Sequence, residues 1–138
     1  MNASDKVQEA GLRILVADDN PVFLRKLTSL LAAEFDVVAT AADGRSALDL
    51  ICRYKPDVVV LDLDMPVLNG IEVTRELAKH PHSPPIVICS VETDPEVVEA
   101  ARQAGAVAYV FKMRVQKDLN LALKSAVQNI AFVSSALR

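Results

Sequence analysis

Six residues of this 138-residue chain have types and spacing that could do chemistry: Asp18, Asp19, Asp62, Asp64, Ser90 and Lys112. Each stands at or just beyond the point where an apolar run stops. Carboxylates held a few Å apart repel by on the order of 4 kcal/mol at 4 Å in a medium of effective dielectric 20, so a cluster of them calls for a cation. A hydroxyl and an ammonium at the same place would add complementary polar chemistry. An isolated Asp at a strand end is usually a cap for the next segment. Four strand ends converging with matched chemistry are harder to explain that way and mark a functional site.

The stretch that places these residues is Val58-Val59-Val60-Leu61-Asp62-Leu63-Asp64-Met65-Pro66, an unbroken apolar, β-branched run that ends in two carboxylates and a proline. Such a run reads as a strand buried on both faces, which implies a parallel sheet between helices with ligands gathered at the carboxyl ends of the strands. Further strands are predicted at residues 12–17, 36–42, 86–89 and 106–111, closed by Asp18-Asp19, Asp43-Gly44, Ser90 and Lys112. Between them lie helical patterns. Asn20 and Pro21 open the first, with Phe23, Leu27, Leu30 and Leu31 on one stripe. Ala47, Leu48, Ile51 and Tyr54 trace the second, which Pro56 ends. A third runs from Gly70 to about residue 80, before Pro81, Pro84 and Pro85. A fourth spans 95–104 and closes at Gly105. The last spans 117–130, with Leu119, Ala122, Leu123, Ala126, Val127 and Ile130 facing inward. Strict alternation of five strands with five helices is folded economically by right-handed crossovers, which makes this one α/β domain.

Composition narrows the function. Apolar residues make up 51% of the chain, but aspartates interrupt every run, so none reaches membrane-spanning length. Residues 1–11 carry Asp5, Lys6 and Glu9 and no apolar stretch; they read as a fraying segment, not a signal or transit peptide, and a cytoplasmic location is the default. Cys52 and Cys89 lie in apolar segments without metal-ligand spacing and are expected to be free, buried thiols. A net charge of -3 argues against nucleic-acid binding by this domain.

Four segments in this order resemble the signatures of response-regulator receiver domains: Val16-Ala17-Asp18-Asp19-Asn20, the run from Val60 through Asp62, Asp64 and Pro66 to Gly70, Ile88-Cys89-Ser90, and the run from Ala104 through Tyr109 to Lys112. The resemblance covers about residues 12–130, leaving 131–138 as a tail or the start of a linker. It implies a flavodoxin-like, doubly wound five-stranded parallel sheet of order 2-1-3-4-5 with five flanking helices, an order known for receivers among folds of this kind. It further implies Mg²⁺, held directly by Asp19 and Asp62 with the Asp64 backbone carbonyl, and by Asp18 through a water on the ion. Asp62 would be the phosphoacceptor, taking a phosphoryl group from the phosphohistidine of a sensor histidine kinase or phosphotransfer protein, with Lys112 neutralising charge. Ser90 and Tyr109 would form the switch, the hydroxyl drawn to the new phosphate and the aromatic rotating inward. The domain would be a self-dephosphorylating signalling module, not an enzyme with a separate substrate.

Met113 follows Lys112 where many receivers carry proline, so an ordinary trans peptide is expected there. That variation is familiar in receivers that precede a helix-turn-helix domain, and the segment 129–135 resembles the stretch joining receiver to effector in that branch. With no recognisable output module before Arg138, the output would be a separate protein or a C-terminal effector domain beyond this chain. Direct DNA contact and membrane association are not expected; homodimerisation is left open. Asp62-Leu63-Asp64 also matches the Asp-x-Asp of haloacid-dehalogenase-type phosphatases, but there the motif ends the first strand. A flavodoxin-like electron carrier would share the sheet, yet it needs a hydroxyl-rich phosphate loop where this chain has Asp18-Asp19, and aromatics to stack on the flavin.

Overall fold

The computed structural model describes residues 11–135. Positions 1–10, nearly all of the segment expected to fray, and 136–138 of the expected tail lie outside the described residues. The elements are β1 (Arg13–Ala17), α1 (Pro21–Ala32), β2 (Asp36–Ala41), α2 (Gly44–Tyr54), β3 (Val58–Asp62), α3 (Gly70–Ala78), β4 (Ile86–Ser90), α4 (Pro95–Ala104), β5 (Ala108–Phe111), a 3-10 turn (Lys112–Arg114), α5 (Val115–Val127) and β6 (Phe132–Val133). Neighbouring strands pair in parallel in the order β2-β1-β3-β4-β5-β6. The expected order of five strands therefore holds, with a sixth short strand added.

Strand alternation sorts the core into two layers. Ile14, Val16, Val58, Val60, Val87 and Val110 face one way and pack against Leu27 and Leu31 of α1 and Leu119 and Leu123 of α5. Leu15, Val59, Leu61, Ile88, Tyr109 and Phe111 face the other way, against Ile51 of α2, Val73 and Leu77 of α3 and Ala101 of α4. Every position of β3 and β4 is buried, which explains their continuous apolar runs. Each such aliphatic side chain stabilises the fold by roughly 1.5–3 kcal/mol, whereas an unpaired charge in the middle of the sheet would cost several times that. Polar chemistry is thereby confined to the strand ends.

The helices start where the strands stop because capping residues sit at that edge. Asn20 accepts from the backbone N–H of Val22 and Phe23 at 3.0 and 3.1 Å and Pro21 opens α1. Asp43 caps α2, and Asn69 and Glu72 form a reciprocal capping box on α3. Asp94 with Pro95 opens α4, and Gly105, at φ 122°, closes it. No cis peptide bond occurs among the described residues, in keeping with the trans bond expected after Lys112.

Three expectations are corrected. α5 ends at Val127, not at residue 130, because Asn129 adopts φ 59° and the N–H groups of Ile130 and Asn129 bond to Ser125 O and Ala126 O, a closed helix terminus. Val127 and Ile130, expected inward, are consequently exposed. Cys52 is exposed too, since its neighbour Ile51 takes the inward position on α2; both thiols are free, but only Cys89 is buried. Beyond α5 the chain turns back and β6 adds to β5, with Phe132 opposite Ala108. Ser134 fastens it: its Oγ accepts from the Phe111 N–H at 3.1 Å and donates to Asp118 Oδ2 at 2.7 Å, and Arg114 Nε donates to the same carboxylate oxygen at 3.0 Å.

Candidate functional site

The strand register brings the acidic residues together. Ala17 of β1 lies opposite Leu61 of β3, so the next residues, Asp18 and Asp62, leave the sheet at one level on adjacent strands. Cys89 is opposite Asp62 and Phe111 opposite Ser90, which puts Ser90 and Lys112 at the same edge. Asp18 is 1% exposed and Asp62 5%, while Asp19 is open to solvent. One carboxylate oxygen from each of the three lies within 4.8 Å of the others. Lys112 reaches in from the far side, its Nζ 2.8 Å from Asp18 Oδ2 and 3.4 Å from Asp62 Oδ1. Asp64 is exposed in the loop after β3, and its backbone N–H points to the Asp62 carboxylate.

One lysine does not neutralise this notch. Burial and the neighbouring Asp18 carboxylate push the Asp62 carboxyl from 3.8 up to about 6, against the opposing pull of Lys112. Burial alone would lower the Lys112 pKa, but Asp18 and Asp62 outweigh it and hold the ammonium above its ordinary value. Asp18 Oδ1 accepts from the Asn20 N–H at 2.8 Å. Asp18 Oδ2 has no aligned donor, so its short contact with Lys112 is an ion pair, not a hydrogen bond. A buried, charge-bearing oxygen left in this way, beside two more carboxylates, fits a hard divalent cation with oxygen ligands. Asp18, Asp19 and Asp62 are the residues that could hold it.

Ser90 and Tyr109 belong to the other face of the sheet. By strand alternation Asp18, Asp62 and Lys112 continue the α1/α5 face, whereas Ser90 and Tyr109 continue the face covered by α2, α3 and α4. Ser90 is fully buried; its Oγ accepts from the Glu92 N–H at 3.0 Å, and its hydroxyl is directed to the Tyr109 oxygen. Tyr109 points inward, its OH donating to Glu92 O at 2.8 Å, and burial raises its pKa. Both residues thus hold the same β4–α4 loop.

A neighbour of the notch that the sequence pattern marks only as part of the buried stripe of α1 is Phe23, whose ring centroid lies 4.5 Å from Lys112 Nζ. The signal was present in principle. Side chains on a helix lean toward its N-terminus, and α1 begins at the notch.

Among the described residues no helix is long and apolar enough to cross a membrane. Known proteins are similar to this chain in sequence and in fold. The chain is 32% identical over 132 residues to the transcriptional regulatory protein DegU of Brevibacillus brevis, a match covering 94% of this chain and 56% of that protein. It is 34% identical over 124 residues to the transcriptional regulatory protein PdtaR of Mycobacterium tuberculosis, covering 89% and 60%. The chain thus spans less than two thirds of the length of these curated relatives. Its fold is similar to the crystal structure of a two-component response regulator of the LuxR family from Aurantimonas sp. SI85-9A1, with a TM-score of 0.84 and 30% identity over 88% of this chain and 89% of that one. The family model for the response regulator receiver domain matches residues 14–124, which carry all four strand ends of the notch, and the chain belongs to that family, the receiver domains of two-component signalling.

Proposed function

We propose that this receiver takes a phosphoryl group onto Asp62 from the phosphohistidine of a sensor histidine kinase or phosphotransfer protein. The observation that carries the reading is the position of Asp62: nearly buried at the end of the central strand, between a carboxylate that repels it and a lysine that attracts it. An Asp62 oxygen forms a bond to phosphorus as the P–N bond to the donor imidazole breaks, its electron pair staying on nitrogen. Lys112 moves from its carboxylates to the phosphoryl oxygens. Asp19 and Asp62, with the Asp64 backbone carbonyl and with Asp18 behind them, would hold Mg²⁺, which supplies further neutralisation of phosphoryl charge when bound. The Ser90 hydroxyl would turn from Tyr109 to the new phosphate, and the β4–α4 loop and Tyr109 would carry the change to a protein-binding surface. The effector would be a further domain or a separate protein, and these residues would act in the cytoplasm without contacting DNA. The chain would catalyse only its own phosphorylation and dephosphorylation.

The test is chemical trapping. After incubation with acetyl phosphate and Mg²⁺, borohydride reduction of an aspartyl phosphate yields homoserine, and peptide mass mapping should find it at position 62. Homoserine at Asp19 or Asp64, or at no position, would overturn the assignment.

The Mg²⁺ assignment has its own pH signature. Because the folded-state pKa of Asp62 is raised, stability is lost as pH rises from the ordinary value of 3.8 to about 6; the cost is fully present above that window and absent below it. A cation bound to the ionised form offsets the cost. Saturating Mg²⁺ at about 100 times its dissociation constant should stabilise the protein by roughly 2.7 kcal/mol at pH 8, and by clearly less at pH 5, where the proton competes. Thermal melts at both pH values measure this; an equal shift at the two, or none, would count against the site.

A further inference from the structure

We infer that Phe23 positions Lys112 for phosphoryl transfer, a role that rests on Asp62 being the acceptor. The Lys112 ammonium is surrounded on three sides: Asp18 Oδ2 at 2.8 Å and Asp62 Oδ1 at 3.4 Å pair with its charge, and the Phe23 ring lies against it with its centroid 4.5 Å from Nζ. The Lys112 side chain is only 14% exposed, so the ring stands where water would otherwise hydrate the charge. An ammonium over an aromatic face is attracted by the ring quadrupole, most strongly when desolvated.

The arrangement has a mechanistic consequence. An incoming phosphoryl group, or a cation on the carboxylates, takes Asp18 and Asp62 away from Lys112. The ring is the partner that stays. It holds a long, flexible side chain at the mouth of the notch, so that the ammonium makes a short swing to the phosphoryl oxygens and does not relax into solvent. Lys112 serves both directions of the cycle. With acetyl phosphate, an Asp62 oxygen bonds to phosphorus while the P–O bond to acetate breaks and the electron pair leaves on acetate. In hydrolysis, a water oxygen bonds to phosphorus, the Asp62 O–P bond breaks with its pair returning to the carboxylate, and the water proton passes to solvent. Charge on the phosphoryl oxygens is met by the same ammonium in both steps, so a misplaced lysine slows both.

Lys26, also on α1, lies 5.9 Å from the centroid of the same ring but makes no contact with the carboxylates. It provides the control. Phe23→Leu keeps an apolar side chain and removes the quadrupole; Phe23→Trp keeps an aromatic face; Lys26→Ala removes the second cation. Rates of labelling by acetyl phosphate with Mg²⁺ and of label loss would be measured for all three. The expected result is a fall of about tenfold in both rates for Phe23→Leu, recovery to within about threefold for Phe23→Trp, and wild-type rates for Lys26→Ala. Wild-type rates in Phe23→Leu, a change in only one of its two rates, or no recovery in Phe23→Trp would overturn the role. A readout independent of turnover uses the wild-type protein: the ε-methylene protons of Lys112 should show an upfield ring-current shift in the NMR spectrum. Its absence would overturn the role even if Phe23→Leu did not fold. Wild-type protein that shows the ring shift but takes no label would overturn the acceptor reading, and this role with it.

Discussion

Asp62→Asn should take up no phosphoryl group from acetyl phosphate or from a phosphorylated kinase, and in the absence of metal it should be more stable than the wild type. The two effects have one cause. The amide has no anionic oxygen to attack phosphorus, so labelling falls below detection and is not merely slowed. The same change removes a carboxylate that burial and Asp18 hold at a pKa of about 6. At pH 8 the ionised group costs on the order of 3 kcal/mol relative to an unperturbed aspartate, and relief of part of that should raise stability by about 1–3 kcal/mol. Asn keeps the shape of Asp, and Lys112 keeps Asp18 at 2.8 Å. Intact-mass labelling and metal-free thermal melts of the two proteins measure both arms. Stoichiometric label on Asp62→Asn would sink the acceptor assignment; loss of stability would show that the notch is not strained by charge. At pH 5 the stability gain should shrink, because the wild-type carboxyl is then largely protonated.

Periodicity and edge chemistry were legible in the sequence. The β3 run reads as a strand buried on both faces, and the parallel pairing then put Asp18, Asp62 and Lys112 at one edge without any need to know a side-chain contact. Features that depend on a single backbone state were not legible. β6 is two residues long, too short to show a period, and is held by the Ser134 hydroxyl between Phe111 and Asp118, which are distant in sequence. α5 stops at an Asn in the left-handed region, a residue type compatible with that conformation but not diagnostic of it. Val67, in the loop after Asp62, has φ 71°, where a β-branched residue is strained and nothing in its type signals the conformation. Phe23 was legible as an apolar helix residue but not as a partner of Lys112, since the hydrophobic stripe and the contact use the same ring.

The residues proposed for the chemistry and those proposed for its readout fall on separate faces by the same alternation. Asp18, Asp62 and Lys112 continue the face covered by α1 and α5, while Ser90 and Tyr109 continue the face covered by α2, α3 and α4. In the proposed role, a charge placed on Asp62 would act on one layer through the carboxylate cluster and reach the other through the β4–α4 loop, whose Glu92 backbone is bonded to both Ser90 and Tyr109. The loop after Asp62 has to be rigid for that charge to be placed reproducibly. Two glycines make it so.

Gly44→Ala should be one of the most damaging single-methyl changes in the chain, against the direction that helix propensity suggests. Gly44 opens α2, where Ala is ordinarily favoured by about 1 kcal/mol. A Cβ at this position would lie 2.0 Å from Leu68 O and 2.7 Å from Leu68 C, and backbone cannot rotate out of the way as a side chain can. Nor can the loop retreat. Its other end is clamped at Gly70, where a Cβ would meet Asp62 O at 2.5 Å and where the N–H bonds to Leu63 O at 2.8 Å. Relief thus requires moving the 63–69 loop off α2, breaking the 3.3 Å bond from the Gly44 N–H to Pro66 O and displacing the segment that begins at Asp62. The expected cost is about 3 kcal/mol, at the upper end for a single substitution, and a fall in melting temperature of roughly 10 °C. Labelling by acetyl phosphate should slow as well at temperatures where the variant remains folded, because the Asp64 carbonyl moves with the loop. Chemical denaturation and labelling rates of Gly44→Ala beside wild type are the measurement. A variant as stable as wild type or more so would mean that helix propensity outweighs the close approach, and that the loop after Asp62 is not clamped.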